Sequence, residues 1–130
     1  MKLFSFLPAL GWAIVVLIAI SLPGSHIPVS GLLKLPYFDK LVHLVLFLVL
    51  AVLLAYGFYR QETHTTFHRY HMWLTLFFGI IYGMLTELLQ YWLISERHGT
   101  VGDFAANAVG TVFGVMLFSV LPVTRLKKPE

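Results

Sequence analysis

The sequence predicts an all-α integral membrane protein built as a four-helix bundle, and its composition and hydropathy pattern carry this prediction. Of the 130 residues, 58% are hydrophobic and 12% are charged, and the mean hydropathy is +0.83. A soluble domain of this size cannot bury so much apolar side chain, because small folds leave a large share of their surface in water. The apolar residues form four long runs, Phe4–Leu22, Leu41–Tyr59, Met72–Ile94 and Phe104–Leu121. We therefore expect residues 1–130 to form one domain with four membrane spans.

Each run has close to the roughly 20 residues that a helix needs to cross the hydrocarbon core of a bilayer. Lipid offers no hydrogen-bond partner to backbone groups, so these segments must form helices. The first run follows Lys2 and could pass for a signal peptide. It is long for one, however, and Ser21-Leu22-Pro23 is a poor cleavage site. We expect it to be retained as a helix.

The positions of lysine and arginine predict that both termini lie in the cytoplasm. An even number of spans puts both termini on one side, and the side richer in these residues is normally cytoplasmic. One side would hold Lys2, Arg60, Arg69, Arg125, Lys127 and Lys128. The other side would hold half as many, Lys34, Lys40 and Arg97.

The composition also excludes several classes of function. The chain has no cysteine, which excludes thiolate metal sites and thiol nucleophiles. Its net charge is +3, which in so apolar a chain we interpret as an orientation signal and not as a nucleic-acid-binding surface. We expect no nucleic-acid partner and no cofactor.

Four residues with ionisable or amide side chains lie inside the apolar runs, although an ionisable group at mid-bilayer costs about 2.5 kcal/mol or more. His43, Glu87, Gln90 and Asn107 all sit within two or three turns of the same end of the bundle. Charged residues stand just beyond them. We predict that these groups converge in a pocket that opens to the outer leaflet. The candidate ligand-binding residues are Asp39, Lys40, His43, Glu87, Gln90, Arg97, Asp103 and Asn107.

Two stripes of residues at helical spacing support this convergence. Gly79, Gly83, Glu87 and Gln90 form one stripe on the third run, and Asp103, Asn107, Gly110 and Gly114 form another on the fourth. The glycine pairs have the small-x-x-x-small spacing that lets two helix backbones approach closely. We expect the four glycines to serve helix packing.

Each polar residue also has a structural interpretation. Asp39 and Asp103 stand just before their apolar runs, where they are candidates for helix N-caps. Asn107 is a candidate for a hydrogen bond between helices, and His43 for an interfacial histidine. Glu87 should be neutral unless Lys40, Arg97 or a protonated His43 pairs with it.

Three histidines between the second and third runs form a separate feature. His64, His68 and His71 would align on one face of a helix, and such a face is a candidate metal site. We favour a cytoplasmic loop near lipid headgroups and assign no metal site.

The ordered polar motifs resemble the VanZ-like family of small bacterial membrane proteins. The resemblance runs from Asp39 to Gly114 and rests on Asp39-Lys40-x-x-His43, Glu87-x-x-Gln90, Arg97 and Asp103-x-x-x-Asn107-x-x-Gly110-x-x-x-Gly114. It implies a multi-pass protein of the bacterial inner membrane. The founding member of the family is associated with reduced susceptibility to the glycopeptide antibiotic teicoplanin, by a mechanism that is not established.

Three hypotheses for the function stay open. In the first, the pocket binds the anionic or polar head of a membrane lipid, a lipid-linked cell-wall precursor or a glycopeptide, with Lys40 and Arg97 attracting charge. In the second, His43 and Glu87 are the base and acid of an intramembrane enzyme acting on a lipid or cell-wall precursor, or hold a divalent metal together with Asp39 or Asp103. In the third, the polar groups only lock the helices of a structural or helper subunit.

Overall fold

The computed structural model describes residues 2–21, 37–61, 65–93 and 100–122. A 3₁₀ turn, Leu3–Phe6, leads into α1, Leu7–Ser21. The other helices are α2, Phe38–Tyr59, the short α3, Thr66–Arg69, α4, His71–Leu93, and α5, Val101–Val120. Four helical segments are long and apolar enough to span a membrane. They are the 3₁₀ turn taken together with α1, and the helices α2, α4 and α5. The predictions of four helices of spanning length and of an all-helical fold are thereby confirmed, since no strand occurs in the described residues.

Two helices begin three residues earlier than predicted, at Phe38 and Val101. Their first turns contain polar residues, so an apolar run does not include them. The expectation that Asp39 and Asp103 are N-caps is therefore wrong. Asp39 lies in the first turn of α2, where a negative charge complements the helix dipole.

Thr100 is the N-cap of α5 and forms a capping box with Asp103. The Thr100 hydroxyl accepts a hydrogen bond from the backbone N–H of Asp103, and the Asp103 carboxylate accepts one from the backbone N–H of Thr100. Each side chain thus satisfies a donor that the start of a helix leaves unpaired. This box fixes where α5 begins and holds the Asp103 side chain at the end of the bundle.

The glycine pairs bring three helices into close contact. A side chain at Gly110 or Gly114 would collide with the backbone carbonyl oxygen of Leu44 or Leu48 in α2. On α4, an added Cβ at Gly79 would lie 2.5 Å from Thr111 Cγ2 of α5. Consequently α5 packs most extensively on α2, and α4 packs against both, whereas α1 lies mainly against α2.

The distribution of polarity suits a protein surrounded by lipid. Many large apolar side chains are exposed on the outer faces, among them Ile14, Trp73, Phe77 and Met116. Among the residues that the structure describes, the buried polar and charged ones are His43, Gln61, Thr75, Thr86, Glu87, Gln90, Asp103, Asn107 and Thr111. Polar side chains therefore lie between the helices, as expected where lipid makes their exposure costly.

Candidate functional site

Three helices bring His43, Glu87 and Asn107 into contact at the end of the bundle where α2 and α5 begin and α4 ends. The Asn107 amide donates from Nδ2 to Glu87 Oε1 at 2.8 Å. Its Oδ1 lies 3.0 Å from His43 Nδ1. The three residues are 3%, 9% and 1% exposed in chain order, from His43 to Asn107. Asn107 therefore joins α5 to α2 and to α4 through a single side chain.

The direction of these hydrogen bonds fixes the tautomer of His43. An amide oxygen can only accept, so the bond to Asn107 requires a proton on His43 Nδ1. Glu87 Oε1 also lies 3.5 Å from the same ring nitrogen. A proton donor and a carboxylate thus stand side by side with Asn107 bridging them.

A second polar contact lies one turn nearer the end of the bundle. Lys40 Nζ is 3.2 Å from Asp103 Oδ1, and the Thr100 hydroxyl donates to Asp103 Oδ2 at 2.6 Å. Both carboxylate oxygens of Asp103 are therefore engaged. Gly102 permits this arrangement, because a Cβ there would lie 2.8 Å from Lys40 Cε. The Lys40 side chain is held over the start of α5 by its ion pair.

One oxygen of the cluster is left unpaired. Glu87 Oε2 is buried and has no hydrogen-bond partner among the described residues. Glu87 also lines a cleft of about 330 Å³ between α4 and α5. The remaining lining residues are Met84, Leu88, Tyr91, Thr100, Val101 and Phe104. The cleft is mostly apolar and holds a carboxylate in its wall, a combination typical of sites for small amphiphilic ligands.

The structure also brings together a group with metal-ligating atoms. One ligand atom from each of Asp39, His43 and Asp103 lies within 4.8 Å of the others. One imidazole and two carboxylates are a set that Zn²⁺ accepts. However, both oxygens of Asp103 already have partners, and one partner is the Lys40 ammonium. We therefore assign no metal to this group.

Gln90 does not join the cluster, although the sequence placed it there. Its amide Nε2 donates to the backbone carbonyl of Ile20 in the last turn of α1, at 3.0 Å. The step of three residues leaves Gln90 about 60° round the helix from Glu87, which is enough for its side chain to meet α1 and not α5. Gln90 thus satisfies a carbonyl at the end of α1. Arg97, the remaining candidate, lies outside the described residues.

At the opposite end of the bundle, the histidines are held by backbone groups. His68 Nδ1 donates to the carbonyl of Tyr59 at 2.6 Å, and His71 Nδ1 to that of His68 at 2.7 Å. Both rings pack against the Tyr59 ring. His64 lies outside the described residues. The described histidines pack in the connection around α3, and neither belongs to the metal-ligating group found among the described residues.

Sequence reasoning missed several residues that shape this site. The Thr100-x-x-Asp103 spacing is itself a capping-box signal and predicts the start of α5. Gly102 gives no such signal, because its role depends on where Lys40 lies. The apolar cleft walls, Met84, Leu88 and Phe104, cannot be told from lipid-facing residues in the sequence.

The sequence model of the family described as VanZ/LLP1 matches residues 2–122. No curated protein and no solved structure gives a significant match.

Proposed function

We propose that this protein, which belongs to the VanZ/LLP1 family, binds the polar head of an amphiphilic cell-envelope ligand between α4 and α5. The observation that carries the proposal is the buried Oε2 of Glu87, which has no partner among the described residues. Buried polar groups in native proteins are almost always paired, so an unpaired carboxylate oxygen calls for a partner from elsewhere. The cleft that Glu87 lines supplies space for that partner.

The walls of the cleft support an amphiphile in particular. Met84, Leu88, Tyr91 and Val101 line it and are exposed on the outside of the bundle. In a bilayer such residues face acyl chains, so a ligand dissolved in the membrane reaches Glu87 from the side. Its apolar part then stays in lipid while its polar head enters the cleft.

The proposed setting is the outer half of a bacterial inner membrane. The lysine and arginine distribution favours cytoplasmic termini, which would put the Glu87 end near the outer surface. Ligands available there include phospholipids, lipid-linked cell-wall precursors and amphiphilic glycopeptides. An effect on glycopeptide susceptibility would follow if the protein sequestered the antibiotic or its target.

Native mass spectrometry of the purified protein after exposure to a total bacterial lipid extract tests this function. Wild type should retain one amphiphile that Glu87→Gln loses. Thr75→Val is the matched control, because Thr75 is a buried polar residue of the same helix that bonds only within it. Equal retention by wild type and Glu87→Gln would reject the proposal.

A second candidate function, acid–base chemistry on the bound amphiphile, is favoured by one distance. His43 Nδ1 and Glu87 Oε1 are 3.5 Å apart, and Glu87 lines the cleft, so a small shift would bring the pair within the about 2.6–3.2 Å that proton transfer needs. Catalysis predicts that the retained amphiphile changes mass with time in wild type but not in His43→Gln. If the cluster only held the helices together, Glu87→Gln would instead lower the thermal stability of the protein in detergent in step with any loss of amphiphile retention.

A further inference from the structure

We propose a second lipid site at the end of the bundle where the chain enters α1. There a groove beside α1 holds one acyl chain of an anionic phospholipid, and the headgroup lies near Lys2, Arg60 and Arg69. This site is separate from the cleft beside Glu87 and does not depend on the proposed function. Four features support it: the apolar lining of the groove, the hydrogen bonds that fix its walls, its depth, and the charges at its mouth.

Two apolar cavities adjoin along α1, because they share the lining residues Phe6, Leu10 and Phe58. The shallower one has a volume of about 640 Å³ and extends to Leu3 and Phe67. The deeper one, of about 310 Å³, lies between α1, α2 and α4 and extends to Ala13 and Tyr82. We call the two together the α1 groove. Its lining side chains are apolar apart from the Tyr82 hydroxyl, so the groove suits an acyl chain and not a polar ligand.

Hydrogen bonds hold the walls of the α1 groove at both ends. In the deeper cavity, the Tyr82 hydroxyl of α4 donates to the backbone carbonyl of Ala13 in α1 at 2.7 Å. Near the mouth, the buried Gln61 side chain accepts from the backbone N–H of Lys2 at 2.8 Å and donates to the carbonyl of Gly57 at 2.8 Å. The first helix therefore cannot move inward to fill the groove without breaking these bonds.

The depth of the α1 groove is close to the thickness of one leaflet. Leu3 and Ala13 are about 16 Å apart along the axis of the 3₁₀ turn and α1. The hydrocarbon core of a bilayer is about 30 Å thick, so one leaflet contributes about 15 Å. Tyr82, at the deep end, stands near the middle of α4. An acyl chain that enters at the mouth would thus end near the bilayer midplane, as lipid chains do.

Three cationic residues flank the mouth of the α1 groove, each within two residues of one that lines it. They are Lys2, Arg60 and Arg69, beside the lining residues Leu3, Phe58 and Phe67. All three are exposed. The guanidinium carbons of Arg60 and Arg69 lie 5.8 and 6.0 Å from the ring centroids of Tyr56 and Tyr70. Such contacts hold the side chains but do not neutralise their charge.

No carboxylate among the described residues balances these three charges. The described ones, on Asp39, Glu87 and Asp103, lie at the other end, where α2 and α5 begin and α4 ends. The ion pairs found in the described part of the chain are also at that end. Glu62 lies outside the described residues. An anionic headgroup would supply the missing charge, and one lysine or arginine near a membrane surface raises affinity for anionic lipid by up to about fivefold.

Two phospholipids with the same acyl chains test the charge of the headgroup. The protein is reconstituted in vesicles with equal amounts of phosphatidylglycerol, which is anionic, and phosphatidylcholine, which is zwitterionic. The lipids retained after transfer to detergent are counted by native mass spectrometry. We expect phosphatidylglycerol to exceed phosphatidylcholine by about tenfold. Each of Lys2→Gln, Arg60→Gln and Arg69→Gln should lower that ratio by about two- to fivefold.

Leu10→Trp tests the groove while all the charges stay in place. The larger side chain fills the space where the two cavities adjoin, so the preference for phosphatidylglycerol should be lost. Ile14→Trp is the matched control, because Ile14 lies one turn further along α1 and lines neither cavity. The two residues are 59% and 58% exposed. Ile14→Trp should keep the preference, and both variants should melt like wild type in detergent.

Equal retention of the two lipids by wild type would overturn the inference. A preference that survives Leu10→Trp would also overturn it, since the cations would then attract annular lipid without a groove. Loss in Ile14→Trp as well as in Leu10→Trp would remove the distinction between the groove and the rest of α1. A preference lost in Glu87→Gln but kept in Leu10→Trp would assign the anionic lipid to the cleft of the proposed function instead. If Leu10→Trp did not fold, an unchanged ratio in all three cation variants would reject the site.

Discussion

Helix α5 meets α2 backbone to backbone, but it meets α4 through side chains. Gly110 and Gly114 face the carbonyl oxygens of Leu44 and Leu48, whereas Gly79 faces the side chain of Thr111. On the α4 side, the contact also contains the cleft that Glu87 lines. The same small-x-x-x-small spacing therefore gives one rigid contact and one that leaves room for a ligand. What lies opposite the glycines, and not the spacing, decides which contact results.

Asn107 lies where the two contacts join. It accepts from His43 of α2 and donates to Glu87 of α4. The closely packed side thus positions the amide, and the amide holds one oxygen of Glu87 so that the other stays open. The close packing of α5 on α2 therefore helps to fix the position of Glu87 on α4, because Asn107 bonds to both neighbouring helices.

The largest effect is expected at the α2 contact. Gly110→Ala puts a methyl group against the Leu44 carbonyl, which cannot rotate away, so the two helices must separate. We expect a loss of about 3 kcal/mol of unfolding free energy, at the upper end for overpacked sites. Thermal unfolding in detergent measures it.

Two controls calibrate that result. Gly11→Ala adds the same methyl group where nothing lies within 4 Å, and should leave the melting temperature unchanged or slightly raised. Gly79→Ala meets the Thr111 side chain, which can adjust, so its effect should fall between the two. Equal effects at Gly79 and Gly110 would remove the distinction between the two contacts.

A smaller loss is expected from Asn107→Leu, which has nearly the same size but no polar atoms. It leaves His43 Nδ1 without its acceptor and Glu87 Oε1 without its donor. We expect a loss of about 2 kcal/mol in detergent, since each buried polar group left unpaired has a cost. Thr75→Val should cost less, because the Thr75 hydroxyl bonds only to the carbonyl of His71 in its own helix. A loss from Asn107→Leu no greater than from the control would contradict the bridging role.

The smallest effect on stability is expected from filling the cleft. Leu88 is exposed beside Glu87 and lines the α4 side of the cleft. Leu88→Trp should change unfolding free energy by less than about 0.5 kcal/mol, as for other surface substitutions. It should nevertheless abolish retention of the amphiphile that Glu87→Gln loses. A variant that melts like wild type but still retains this amphiphile would show that the ligand binds elsewhere.

Much of the fold could be predicted because run length and lipid chemistry leave few alternatives. Four apolar runs of spanning length indicated four helices, which the structure confirms. The starts of α2 and α5 were placed too late, since the first turns of these two helices carry Asp39 and Asp103. Apolar runs identify the part of a helix in lipid and not the point where its backbone hydrogen bonds begin.

Counting residues from the end of each apolar run was enough to predict that His43, Glu87 and Asn107 lie at one level of the bundle. It did not predict which side chains bond to one another. Gln90 has a similar depth to these residues and bonds to Ile20 of α1 instead. The pairing of Lys40 with Asp103 depends on the close approach over Gly102. Neither contact has a signature in the spacing of residues, because each depends on the rotation of one helix relative to another.

The number of helices of spanning length, the level at which polar groups lie, and the helix faces that carry small residues all follow from the amino-acid sequence alone. Those properties follow from the cost of exposing polar groups to lipid and from the period of the helix, which are local. Only the tertiary structure shows that the Asp103 carboxylate pairs with Lys40, whereas one oxygen of Glu87 has no hydrogen-bond partner among the described residues. That difference depends on distances of a few ångströms between helices far apart in the chain, and the packing of α5 between α2 and α4 sets those distances.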